Sequence, residues 1–148
     1  MKVLNRLLTT IITSHNDKRS LILRIVVGLL FLSEGIQKFL FPELVGVGRF
    51  ESIGFSNPEL LAYFVASFEV ASGAMILTGL VTRLASIPLL TIMATAIVTT
   101  KIPILLNHGF WKMAHDSRTD FAMTMLLIYL IIYGAGNLSV DKLIQSKK

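Results

Sequence analysis

Four long apolar segments dominate this sequence and restrict what it can fold into. They cover, approximately, residues 21–40, 59–80, 83–106 and 119–138. Each has about the 20 residues that an α-helix needs to cross a hydrocarbon layer of about 30 Å. The sequence therefore predicts an all-α integral membrane protein whose four crossing helices form an antiparallel four-helix bundle.

The composition supports a membrane location and argues against two other classes of protein. Hydrophobic residues make up 53% of the 148 residues and charged residues only 16%, which is too little charge to cover a soluble domain. The net charge of +5 lies at the ends of the apolar segments and forms no basic patch, so we expect membrane lipid and not nucleic acid as a partner. The absence of cysteine excludes thiolate metal sites and Cys-ligated clusters.

The predicted organisation is a bundle over residues 21–141, preceded by a surface segment over 1–20 and followed by a cytoplasmic tail over 142–148. The first fourteen residues repeat two apolar and two polar positions, which is the period of an amphipathic helix lying on the membrane surface. A signal peptide is the rival interpretation. Threonines interrupt its apolar run, however, and no small-x-small cleavage site precedes residues 15–19.

Turn residues separate the four segments. Asn57 and Pro58 predict the start of the second helix, with Asn57 capping it and Pro58 at its first position. Residues 79–83 form a very tight link, so the second and third helices must be antiparallel neighbours. Residues 107–117 are expected to form the third link.

The distribution of Lys and Arg predicts that both chain ends are cytoplasmic and that the protein is a multi-pass protein of the cell membrane, the inner membrane where there are two. The outer side then holds four basic residues, Arg49, Lys101, Lys112 and Arg118. The inner side holds nine, which are Lys2, Arg6, Lys18, Arg19, Arg24, Arg83, Lys142, Lys147 and Lys148. An excess of basic residues on the cytoplasmic side sets the orientation of membrane proteins.

Five ionisable side chains fall within the apolar segments, where they are costly and usually face a bundle interior or a cavity. They are Glu34 and Lys38 in the first segment, Glu69 in the second, Lys101 in the third and Asp120 in the fourth. With a rise of about 1.5 Å per residue, all five lie at the midplane or in the outer half of the membrane. We therefore expect one polar cluster that opens toward the outer face.

Simpler interpretations exist for most of these side chains. Lys38, Lys101 and Asp120 can extend to the lipid headgroups, and Glu34 and Lys38 can form a purely structural ion pair at i and i+4. Glu69 has no basic partner in its own helix, so its partner lies on another helix or the carboxyl is protonated. Glu69 is therefore the best candidate for a functional group.

Polar groups outside this set have one functional and one structural interpretation each. His108, Trp111 and His115, with Lys112 and Arg118, form either a lid over the polar cluster or an anchor at the headgroups. Two histidines are weak grounds for a metal site, so none is assigned, and no histidine lies in a span to ligate haem. Threonines at 91, 95 and 99 form a stripe that favours helix packing over ligand binding.

The order and spacing of three motifs resemble the DoxX family. The motifs run from residue 24 to residue 141 and are Arg24-x3-Gly28 with Phe31-Leu-Ser-Glu-Gly35-x2-Lys38, Phe68-Glu69-Val-Ala-Ser-Gly73 with Leu77-Thr-Gly79-Leu-Val-Thr82-Arg83, and Arg118-Thr-Asp120-Phe with Gly134-Ala-Gly136-Asn-Leu-Ser139-Val-Asp141. The resemblance implies a four-helix bundle and an association with quinone-linked oxidoreductases acting on sulfur compounds. The matching positions are Lys38, Glu69, Arg83 and Asp120, and Glu34 departs from the pattern.

Three functions are compatible with the sequence, and none assigns a catalytic residue. The first is a quinone-interacting or accessory subunit of a membrane oxidoreductase, with Lys38 and Glu69 at the quinone head and electrons supplied by a partner protein. The second is a small proton-linked transporter or solute-binding protein, which would have to form a homodimer. The third is an assembly protein whose polar groups only join helices. Quinone is the candidate cofactor, and no covalent or metal-ligated cofactor is expected.

Overall fold

The computed structural model describes residues 18–146, and within these residues the chain forms helices and no strands. The helices are α1 (Ser20–Leu40), α2 (Val47–Ile53), α3 (Pro58–Thr78), α4 (Thr82–Ala96), a π-helical turn (Ile97–Lys101), α5 (Ile102–His108), α6 (Phe110–Asp116), α7 (Arg118–Tyr133) and α8 (Val140–Ser146). The predicted surface helix in the first fourteen residues lies outside the described residues.

Three helical stretches are long and apolar enough to cross a membrane. They are α1, α3 and the continuous run of 27 residues from Thr82 to His108. The fourth predicted crossing segment, 119–138, differs from the prediction, because α7 has 16 residues and ends at Gly134, whose φ of 76° leaves the helical region. The third link also differs, because α5 extends through residues 107–108 and α6 fills most of the remainder.

The tight link between α3 and α4 confirms that these helices are antiparallel neighbours. Gly79 ends α3 in the left-handed conformation at φ 72°, and Val81 has a φ of 41° just before α4 begins. Pro58 occupies the first turn of α3, as predicted. Asn57 precedes it but makes no side-chain capping bond.

Close approach of backbones joins α1 to α3. A Cβ added at Gly28 would lie 3.0 Å from the carbonyl oxygen of Gly73, and one added at Gly35 would lie 2.8 Å from the carbonyl oxygen of Ala66. Small residues allow such contact between backbones. In lipid, where the hydrophobic effect does not drive helices together, this close packing is a main source of helix association. The packing brings the residues of α1 that follow Gly35 directly beside the middle of α3.

The apolar core fills only one half of the bundle. It lies between α1, α3, α4 and α7 on the side of the Gly79 turn, which we call the closed end. Its buried side chains are Val27, Phe31, Ile76, Ala85, Leu89, Met93, Met123, Leu127 and Leu130. The other half, which we call the loop end, carries α6 and the first loop, which joins α1 to α3 over residues 41–57.

A buried polar group ties the last residues of the chain to the closed end. The Asp141 carboxylate accepts hydrogen bonds from the backbone N–H groups of Val81 (2.7 Å) and Thr82 (3.1 Å), at the start of α4. The Asp141 N–H donates to the Gly79 carbonyl at 2.9 Å, and the buried Arg24 guanidinium donates to the Leu138 carbonyl. The N-terminus of a helix favours a nearby carboxylate. We call these contacts the inner clasp, and they hold α8 against α1 and the Gly79 turn.

Replacing Asp141 with Ala should destabilise the protein by about 1–2 kcal/mol, the usual cost of removing a helix N-cap. The substitution also leaves Arg24 buried without its neighbouring carboxylate. Thermal unfolding in detergent micelles measures the effect. Asp116→Ala is the matched control, because its ion pair with Lys112 is exposed and such pairs contribute little to stability. Equal melting temperatures for the two variants would contradict the role of the inner clasp.

Candidate functional site

A cavity of about 590 Å³ occupies the loop end of the bundle, between α1, α3, α4 and α7. This volume lies within the range of about 300–1,000 Å³ that is usual for small-molecule sites. Most of its wall is apolar, with aromatic rings contributed by Phe31, Phe50, Phe55 and Phe64. The cavity begins where the apolar core ends, because Phe31 and Met123 belong to both.

Four of the ionisable side chains singled out from the sequence line this one cavity. They are Glu34 and Lys38 on α1, Glu69 on α3 and Asp120 on α7. The fifth, Lys101, is not in the wall, although it contacts Asp120. Three separate helices thus direct charged groups into a common space, where sequence reasoning placed one polar cluster.

Lys38 binds two carboxylates at once. Its Nζ lies 2.7 Å from Glu69 Oε2 and 3.7 Å from Glu34 Oε2. Lys38 and Glu69 are almost fully buried, whereas the Glu34 side chain is 48% exposed. The partner that Glu69 lacks in its own helix is therefore supplied by α1, at the point where Gly35 allows the two helices to touch.

The chemistry of this triad follows from its charges. One ammonium stands against two carboxylates, so the group has an excess of negative charge when all three are ionised. Lys38 offers three donors, and the carboxylates accept hydrogen bonds or, when protonated, donate one. Such a group can hold a polar ligand head and exchange a proton with it inside an otherwise apolar space.

A second ion pair borders the cavity. Lys101 Nζ lies 3.0 Å from Asp120 Oδ2 and donates to the Asp116 carbonyl at 2.9 Å. Lys101 ends the π-helical turn, which precedes Pro103, a residue without a backbone N–H. A π-turn alters the direction of the side chains that follow it and is frequent at functional sites, and here it places Lys101 beside α7.

The threonine stripe lines the cavity, which the sequence did not indicate. Thr91, Thr95 and Thr99 donate their hydroxyl hydrogens to carbonyl oxygens four residues earlier in the same helix, at 3.1, 3.0 and 2.8 Å. The prediction of bonds to backbone groups is confirmed, but the bonds are local and do not join two helices. The hydroxyl oxygens keep lone pairs that face the cavity.

The first loop covers the loop end of the cavity and was missed as part of the site. Its short helix α2 and the residues beside it place Val45, Arg49, Phe50, Ile53 and Phe55 in the wall. The rings of Phe50 and Phe55 pack with centroids 5.5 Å apart. Apolar residues at three-residue spacing from 47 to 53 are the sequence signal that would have found this helix.

Besides Lys101, five predicted site residues lie outside the cavity wall, which corrects the sequence-based cluster. Arg83 is at the closed end, where its guanidinium donates to the Ile132 carbonyl at 2.9 Å. The other four lie along α5, α6 and the start of α7: His108, Trp111, His115 and Arg118. Trp111 is 84% exposed, as an anchor at the headgroups would be, and Arg118 donates to the His115 carbonyl at 2.8 Å.

The exposed surface of α6 carries its own ion pair. Lys112 Nζ lies 3.0 Å from the Asp116 carboxylate, and this hydrogen bond holds the pKa of Asp116 below its usual value. Within residues 18–146, no three His, Asp or Glu side chains come together as a metal site. The polar groups of the cavity therefore remain the candidate site.

Comparisons with known proteins give consistent similarities. The model of the DoxX family matches residues 20–102, which is more than half of the chain. A relative from Mycobacterium tuberculosis, named "Uncharacterized membrane protein Rv3486", is 45% identical over 126 residues, covering 81% of this chain and 77% of the relative. A relative from Bacillus subtilis, named "Putative oxidoreductase CatD", is 29% identical over 124 residues, covering 82% and 84%. No solved structure matches.

Replacing Lys38 with Met should destabilise the protein by about 3–5 kcal/mol, because Glu69 then remains buried without its partner. The double variant Lys38→Met with Glu69→Met should recover most of this loss, since an apolar pair removes both charges. Thermal unfolding in detergent measures both. Lys112→Met, at an exposed pair, is the control and should change stability by less than about 1 kcal/mol. If Lys38→Met were as stable as Lys112→Met, a strong interaction between Lys38 and Glu69 would be excluded.

Proposed function

Because the chain belongs to the DoxX family of membrane proteins, we propose that it is an accessory subunit of a membrane oxidoreductase and binds a quinone-like ligand in its cavity. The observation that carries this proposal is Lys38, held between Glu34 and Glu69 on the wall of an apolar cavity of about 590 Å³. The Bacillus subtilis relative, which bears the name of an oxidoreductase, adds support.

The cavity wall offers what a quinone ring and its two oxygens need. Lys38 would donate a hydrogen bond to a carbonyl oxygen of the ring, and Glu69 would hold or release a proton beside it. Phe31, Phe64 and Ile92 supply apolar surface for the ring itself. A bound quinone supplies the chemistry of accepting and releasing electrons, and the protein contributes binding, orientation and a proton site.

Electrons are assigned to a partner subunit in this proposal. The chain contains no cysteine, so it has no thiol couple of its own to pass electrons to the ring. Glu34 shares Lys38 with the buried Glu69 and is itself half-exposed. Lys38 and Glu34 would therefore form the path by which a proton reaches the buried Glu69 in this proposal.

We further propose that α7 is a fourth crossing helix and that both chain ends are cytoplasmic. The 16 residues of α7 reach about 24 Å, which is somewhat less than the hydrocarbon thickness of about 30 Å. The first helix begins after Lys18 and Arg19, and the tail carries Lys142, so the closed end is the cytoplasmic one. The cavity then lies in the outer half of the cell membrane, the inner membrane where there are two.

A reporter that works only in the cytoplasm should be active when it is fused after the last residue. A reporter that works only outside the cytoplasm should be inactive at the same position. A second fusion, made after Lys112 in α6, should give the extracytoplasmic readout, because that residue follows three crossing helices. Paired reporters of opposite compartment preference, such as a fluorescent protein and alkaline phosphatase, measure both. An extracytoplasmic signal from the terminal fusion would refute the proposed topology.

Glu69→Gln should weaken the binding of decylubiquinone to the protein in nanodiscs by at least about tenfold, or about 1.4 kcal/mol. The amide keeps the shape of the side chain but cannot take up the proton or pair with Lys38 as an anion. Glu59→Gln is the matched control, since this exposed glutamate lies in the first turn of the same helix. Equal affinity in the two variants, or no binding to the unaltered protein, would count against the proposed function.

A further inference from the structure

Six residues of the cavity wall are themselves exposed, and three of them lie on α3 and α4. Phe64 on α3 is 60% exposed, and Thr91 and Thr95 on α4 are exposed as well, yet all three line the cavity. A residue that belongs to both surfaces marks a place where the wall is thin or open. These three residues belong to the two helices that share the Gly79 turn.

The helical positions place the exposed residues on facing flanks of α3 and α4. On α3, Ala66 and Gly73 turn toward α1, and Phe64 is about 200° around the helix from Ala66. On α4, Leu89 and Met93 turn into the core that α7 completes, and Thr91 is about 200° from each. Both flanks therefore point away from α1 and from the core, and the cavity nevertheless reaches them.

Three other sides of the cavity are closed. The α1–α3 side is sealed by backbone contact at Gly28 and Gly35, and the closed end is filled by the apolar core. At the loop end, Phe50 and Phe55 stand over the cavity. The sides between neighbouring helices remain, and the α3–α4 side is the one where an apolar wall residue, Phe64, is exposed.

The chemistry of this gap suits an apolar chain. The hydroxyl hydrogens of Thr91 and Thr95 are already bonded to carbonyl oxygens of their own helix. The gap thus presents methyl groups, a phenyl ring and no unsatisfied donor, which is the condition for contact with lipid or with a hydrocarbon tail.

We propose that the gap between α3 and α4 is a lateral opening through which a lipid-soluble ligand enters the cavity from the membrane. The ligand class is an amphiphile with a small polar head and a long apolar tail. Its head reaches Lys38 and Glu69, and its tail lies between Phe64 and Thr95 and continues into the bilayer. The inference rests on the proposed function for the identity of the head and adds the route and the tail.

The absence of cysteine allows this opening to be blocked after folding. Thr95→Cys introduces a unique thiol, and a bulky aromatic maleimide added to the folded protein in nanodiscs then fills the gap. Val98→Cys is the matched control, because Val98 lies on the same helical run, is 59% exposed and is not part of the cavity wall. Each protein is compared before and after modification, so folding does not affect the comparison.

Modification at residue 95 should weaken binding of decylubiquinone, which has a tail, by at least about tenfold. Binding of duroquinone, a compact tailless quinone, should change by less than about threefold, because its head fits within the cavity. Modification at residue 98 should alter neither. Equal losses for both quinones at residue 95 would overturn the lateral opening, since the adduct would then be filling the head site itself.

A nitroxide on the same cysteines tests the opening without any quinone. A label at residue 95 should be more accessible to oxygen, which dissolves in the bilayer, than to a water-soluble nickel chelate. The label at residue 98 should show the same preference. A label at residue 95 that neither reagent reaches would overturn the proposal. If no quinone binds the unmodified protein, the proposed function fails, and these accessibilities still decide whether the opening exists.

Discussion

The contact between Lys38 and Glu69 is the interaction on which the loop end of this bundle depends. Each charge alone would be expensive in an apolar interior, and together they satisfy one another at 2.7 Å. The contact exists only because α1 and α3 approach at Gly35, where any Cβ would meet the backbone of the neighbouring helix. Close packing, charge pairing and the position of the cavity are thus parts of a single arrangement.

The two ends of the bundle use buried charge differently. At the closed end, Asp141 and Arg24 direct their hydrogen bonds to backbone groups of the turn and the tail, and the apolar core leaves no space beside them. At the loop end, Lys38, Glu34 and Glu69 bind only one another and border open volume. The first arrangement serves to fix the chain, whereas the second leaves polar groups available to a ligand.

The sequence predicted much of the fold and the identity of the central charges. Segment length and apolarity were sufficient for three of the four predicted crossing helices, and the 79–83 link was sufficient for the antiparallel order of the second and third. The partner of Glu69 was not predictable, because pairing between helices depends on rotation and approach that periodicity does not encode. For the same reason the sequence missed α2 as a cover and Asp141 as a helix cap, and the motif match grouped Arg83, which lies at the closed end, with Lys38 and Glu69. Helix α7 is shorter than the predicted segment 119–138, because the chain leaves the helical conformation at Gly134.

Buried ion pairs contribute little net stability, since desolvation offsets most of their attraction, and apolar residues of similar size often serve a core as well or better. A triad with two carboxylates for one ammonium is less favourable still, because Glu34 adds a second negative charge while Lys38 supplies only one positive charge. If joining helices were its only purpose, α1 and α3 would not need it, since their small residues already bring the backbones together. Under the proposed function, a ligand that takes up donors, acceptors or a proton in the cavity would account for the excess charge at the loop end.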